Sequence, residues 1–143
     1  VLYDSSVIVD YLDGLVPNTK LIPDAFEDRI EVKRWEALCD GIMDAAVLIF
    51  YEERISEPLR EAFRIKQQKK IDAGLTVMAR DLGDREFCHG DSFTLADIAC
   101  GSALVCLDFR RADMDWRQTH PALARHAERM ASRESFKKAG SAD

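Results

Sequence analysis

No run of 18 uninterrupted apolar residues occurs anywhere in the chain, which excludes a membrane-spanning helix. Paired cysteines are missing as well: Cys39, Cys88, Cys100 and Cys106 include no C-x-x-C and follow no disulfide-framework spacing. Cys100 and Cys106 lie in the most apolar stretch, where a reduced cysteine behaves as a small hydrophobe. This usage suits a reducing, cytoplasmic setting. The histidines His89, His120 and His126 form no H-x-x-x-H or H-x-x-H pair, and the Cys88-His89 adjacency does not make zinc-finger spacing, so no metal is expected. Basic charge is in deficit, with 20 Lys and Arg against 26 Asp and Glu and a net charge of −6, interleaved along the chain. The one short basic run, Lys66-Gln67-Gln68-Lys69-Lys70, falls inside a helical pattern and reads as a solvated face. Neither nucleic acid nor a membrane is an expected partner. Sustained period-2 alternation, internal repeats and low-complexity segments are also absent.

What is present is a 143-residue chain, 47% hydrophobic and 32% charged, enough for one domain with a real core. Its opening reads as a strand end, Val1 to Tyr3, turning into a helix through Asp4-Ser5-Ser6. Val7, Ile8, Tyr11 and Leu12 share one face of that helix. The free N–H groups and the dipole at a helix start suit an anion such as a carboxylate. On residues alone, Asp4 and Ser5 are better explained as plain N-caps. A lone strand is not a stable unit, so the sequence reads as cut at this element.

Residues 14 to 23 hold one glycine and two prolines and read as a linker whose apolar members, Leu15, Leu21 and Ile22, pack down. From Asp24 onward the pattern is helical. A long helix from about Ala25 to Arg54 carries Trp35, Leu38, Ile42, Ala45, Ala46 and Ile49 on one face. A second stripe, Cys39, Met43, Val47 and Phe50, runs beside it. So wide an apolar arc calls for a second contact besides the core, either a partner subunit or a ligand pocket. Pro58 ends this helix and starts the next, which includes Leu59 and Phe63, reaches Gly83 and lies antiparallel to the first.

A polar loop, Asp84 to Ser92, leads to the most sharply specified element, Phe93 to Phe109. Thr94 as N-cap with Asp97 at N3 makes a capping box, and Phe93 with Ile98 makes a hydrophobic staple. The helix is apolar nearly all round and is therefore expected at the centre. Arg110 to Trp116 reads as a polar connection. His120-Pro121 opens another helix with Leu123, Ala127 and Met130 on one face, and Glu134-Ser135-Phe136 reads as a last short turn before a fraying tail from Gly140.

Three marks in this order, Asp4-Ser5-x-x-Ile8-x-x-Tyr11-Leu12, Phe93-Thr94-Leu95-Ala96-Asp97-Ile98, and His120-Pro121 through Arg133-Glu134-Ser135-Phe136, resemble the glutathione transferase superfamily. Trp35 to Ala45 resembles its bacterial members. The resemblance implies an all-α helical bundle, the C-terminal domain of that fold, over residues 24–143. Residues 14–23 would link it to a small remnant of an N-terminal thioredoxin-like α/β domain at residues 1–13. It implies that Ser5 holds the α-carboxylate of glutathione and Asp4 its α-amine; Met43, Val47 and Phe50 could line a second-substrate pocket, with core or dimer-interface packing the favoured reading, and Asp40 or Asp44 could reach glutathione in a partner subunit, with plain solvation the favoured reading. Thr94 and Asp97 are read as structural. The implied protein is a cytoplasmic homodimeric enzyme of detoxification, with glutathione as co-substrate, no metal and a small electrophile. No residue here takes the thiol-activating role, so this chain is expected to be inactive alone. The alternative is a non-catalytic adaptor of the same fold that binds a protein partner.

Overall fold

The structure, a computed structural model, describes residues 1–18, 20–54 and 61–140. They form seven helices: α1 (Ser5–Leu15), α2 (Phe26–Glu52), α3 (Glu61–Leu82), α4 (Leu95–Arg110), α5 (Trp116–Thr119), α6 (Pro121–Ser132) and α7 (Glu134–Gly140). No strand occurs among the described residues, so the all-α expectation holds. Val1, Leu2 and Tyr3 lie exposed with no strand to pair with. Pro58 and Leu59, expected at the junction of the two long helices, lie outside the described residues.

Helix α4 is the central element, packed on α2 and α6, while α3 lies along α2. Its buried side chains include Ala96, Asp97, Cys100, Ala103, Leu104 and Leu107. Small residues dominate this list because neighbouring helices come close. A Cβ placed on Gly101 would stand 2.8 Å from Met130 Cγ and from Phe136 Cζ, so the missing side chain is what lets α6 and α7 reach α4. Gly74 does the same on α3, where a Cβ would meet Ile42 Cγ1 at 2.6 Å. On α2, Val32, Trp35, Cys39, Ile42, Ala45, Ala46 and Ile49 are buried. Leu38, expected on that face, is only partly buried.

Three sequence expectations need correction. Helix α1 continues through Gly14 to Leu15, and Leu15 is 60% exposed, so the linker packs down only through Leu21 and the buried Ile22. Ile22 is held in the core because the Leu21 carbonyl accepts the Leu95 N–H at 2.9 Å. The supposed polar connection contains α5, whose Trp116 is buried and donates its indole N–H to Asp108 at 3.0 Å. Its single indole donor is satisfied locally, which lets a large aromatic ring be buried inside a polar segment. The last turn is a helix of seven residues, α7, anchored by half-buried Phe136 against α4.

Candidate functional site

Helix α1 starts on an unusual backbone. Asp4, its N-cap, has φ of 73°, the one positive φ at a non-glycine position among the described residues. Its ψ of 135° lies outside the left-handed helical region that Asp ordinarily visits, so the bonds its carboxylate accepts from Ser6 hold a strained backbone. Asp4 Oδ1 accepts both the Ser6 N–H at 2.9 Å and the Ser6 hydroxyl at 2.8 Å. Both bonds end on the same oxygen, leaving Oδ2 for a cation. The Ser6 bonds, side chain first, hold the Asp4 carboxyl below the usual carboxylate range, so it is anionic at neutral pH. Ser5, the first residue of the helix, is exposed, and its N–H is one of the donors without an intrahelical acceptor. A negative group beside a positive helix start is a pattern for a zwitterion.

The helix carrying this pair is lightly attached. None of its residues is buried, and Val7, Ile8, Tyr11 and Leu12 are between 38% and 54% exposed. Asp10 reaches Arg29 at 3.2 Å and Lys33 at 3.3 Å on α2, and Asp13 Oδ1 accepts the Leu21 N–H at 2.6 Å. Between α1 and the start of α4 lies an apolar cleft of about 240 Å³, with Val9 and Leu12 on one side and Leu21, Leu95 and Ile98 on the other. Burial and then the carboxylates of Glu36, Asp44 and Asp4 raise the pKa of Asp40, so the start of α1 lies within electrostatic reach of this acidic face of α2.

Met43, Val47 and Phe50 follow one another on α2 as half-buried residues, Met43 packed against the core. Phe50 is covered by the Arg54 guanidinium at 3.3 Å and stacks edge-on with Tyr51 and tilted with Phe109. The α1–α4 cleft is lined by other residues.

Asp97 does more than cap. It is fully buried, and Oδ2 accepts the Thr94 N–H at 2.9 Å and its hydroxyl at 3.3 Å, while Oδ1 accepts the Cys88 N–H at 2.8 Å. The same carboxylate therefore ties the α3–α4 loop to the start of α4. His126 of α6, also fully buried, places Nε2 3.9 Å from Asp97 Oδ1 and 3.8 Å from Cys88 Sγ. Arg129 Nη2 stands 3.4 Å from its other nitrogen, Nδ1. A guanidinium only donates, so Nδ1 presents its lone pair and the proton sits on Nε2. Burial disfavours the charged ring, but Cys88 and Asp97 outweigh it and raise the His126 pKa above the ordinary value. Cys100 completes the group; its hydrogen bond, then burial, push the Cys88 thiol far above its ordinary range. Sequence spacing did not reveal this cluster, because its members come from a loop and two helices.

A family model described as glutathione S-transferase, C-terminal domain, matches residues 33–129. The chain belongs to the glutathione S-transferase superfamily. It is 33% identical over 135 residues to an uncharacterized GST-like protein, YibF, of Escherichia coli K12, a match that spans 94% of this chain and 66% of that protein. Among solved structures, a glutathione S-transferase from Methylobacillus flagellatus KT with glutathione bound is 47% identical with a TM-score of 0.92, covering 96% of this chain and 68% of that one. One from Methylobacterium radiotolerans JCM 2831, in complex with glutathione sulfonate, is 40% identical at the same TM-score, covering 96% and 65%. The chain thus spans about two thirds of the length of these relatives. The helical bundle is that of the family's C-terminal domain.

Proposed function

We propose that this chain supplies the γ-glutamyl-holding share of a glutathione transferase, a cytoplasmic homodimer that joins the glutathione thiol to a small electrophile. The observation that carries this reading is the start of α1. There Ser5 offers a helix-terminal N–H and a hydroxyl to a carboxylate, and Asp4 keeps one carboxylate oxygen for an ammonium group. An α-amino acid end carries these two charges on one carbon; glutathione is the ligand of a neighbour at 47% identity, and glutathione sulfonate that of one at 40%. The thiol proton would go to solvent or a base, and the thiolate would form a C–S bond at the electrophilic carbon as that carbon's bond to a leaving group, or its π bond, breaks and takes the electron pair. None of these 143 residues is assigned to sulfur activation. Cys39 and Cys88 are fully buried with raised thiol pKa values, opposite to what a reactive thiol needs.

Residues 1–13 are assigned to the thioredoxin-like unit, 14–23 to the linker and 24–143 to the helical unit. The absence of any buried residue in α1, against the dense packing of α4, sets this helix apart from the bundle; it runs two residues past the first boundary, to Leu15. Met43, Val47 and Phe50 are assigned to the electrophile pocket, where half-burial leaves apolar surface for a ligand. Calorimetry with glutathione tests the reading. The double variant Asp4→Ala, Ser5→Ala should lose about 100-fold or more in affinity, the scale of two charged hydrogen bonds at about 1.5–3 kcal/mol each. An unchanged affinity would remove these residues from the site.

A further inference from the structure

We propose that Cys88 Sγ, Cys100 Sγ and His126 Nε2 form a binding site for one thiophilic metal ion of the Zn²⁺ type in the core of the helical unit. The three ligand atoms all lie within 4.8 Å of one another, and all three residues are buried. With Zn–S of about 2.3 Å and Zn–N of about 2.0–2.1 Å, sulfur and nitrogen ligands of one ion stand roughly 3.5–4 Å apart. Cys88 Sγ and His126 Nε2 are 3.8 Å apart, already at ligating separation. Two sulfurs and an imidazole are a soft donor set that suits Zn²⁺ and its heavier congener Cd²⁺. Two thiolates would also neutralise the ion's double charge, which a buried site requires.

The surroundings fix the ligands without using them up. The Cys88 backbone is held by Asp97, Cys100 is set in α4 three residues after Asp97, and His126 is set in α6. One group opposes binding. Ligation through Nε2 puts the ring proton on Nδ1, where the Arg129 guanidinium now stands at 3.4 Å. A ligating histidine ordinarily has an acceptor there. Arg129 is only partly buried, its Nη2 also donates to the Glu86 carbonyl at 2.8 Å, and its Nε has no partner, so it can turn outward when the ion enters. Arg129 therefore sets the affinity of the site.

The test uses the metal-stripped, reduced full chain titrated with Cd²⁺. Thiolate-to-cadmium absorption should saturate at one equivalent and be displaced by Zn²⁺. Cys88→Ser or Cys100→Ser should weaken binding more than about 100-fold, since losing even an outer partner costs 10–100-fold. Cys106→Ser should leave binding unchanged, and Arg129→Ala should tighten it about 10-fold. In the unmodified chain, Zn²⁺ should protect Cys88 and Cys100, but not Cys106, from iodoacetamide in mild urea, a readout that does not depend on the variants folding. No saturable absorption, absorption that survives in Cys88→Ser or Cys100→Ser, or protection of Cys106 instead would overturn the site.

Discussion

Asp97 satisfies three donors with two oxygens while having no exposed surface. Removing its carboxylate strands the Cys88 and Thr94 N–H groups in the core, each costing about 1–3 kcal/mol. Asp97→Ala should therefore destabilise the chain by about 3 kcal/mol or more in urea unfolding, and Thr94→Ala by about 1 kcal/mol. Thr94 and Asp97 were readable in the sequence because a capping box is local, three residues from end to end. The Cys88, Cys100 and His126 group was not, since its members are joined only by tertiary packing. Asp81 gives a prediction in pH. It is mostly buried, yet bonds from Arg80 and from Arg34 of α2 outweigh burial and hold its carboxyl below the ordinary 3.8. A lowered native pKa contributes stability that is present above the unfolded value and lost as pH falls through the native one. Asp81→Asn should thus lower Tm by a few degrees at pH 7, and the gap should close as pH falls below the ordinary carboxylate value.

At the scale of elements, the packing of α4 rests on what its side chains lack. Gly101→Ala would drive a methyl against Met130 and Phe136, so it should cost about 1–3 kcal/mol, with Phe136→Ala recovering part of the loss in a double-mutant cycle. Full additivity of the two changes would contradict this contact. The long helices and the central place of α4 were legible because apolar periodicity over 15 or more residues signals which face is buried. Helix α5 was not legible: four residues are too short to show a period, and the burial of Trp116 depends on Asp108, eight residues earlier. Val1 to Tyr3, read as a strand end, have no pairing strand among the described residues, and pairing, not local propensity, makes a strand.

Over the whole molecule, two levels of attachment coexist. Helices α2, α3, α4 and α6 share one buried core, while α1 leans on it through two acidic side chains and half-buried Val9. Amide hydrogen exchange should follow this contrast, with α1 exchanging at least about 100-fold faster than the centre of α4. The residues proposed to hold glutathione, Asp4 and Ser5, sit on the loosely attached element, so binding should slow exchange there first. The most direct measurement is an amide chemical-shift titration of the chain with glutathione. The largest shifts should fall on Ser5, Ser6 and Val7 at the start of α1, and they should shrink when the γ-glutamyl α-amine is removed from the ligand. Shifts confined to other elements, with the start of α1 unmoved at saturating glutathione, would contradict the proposed site.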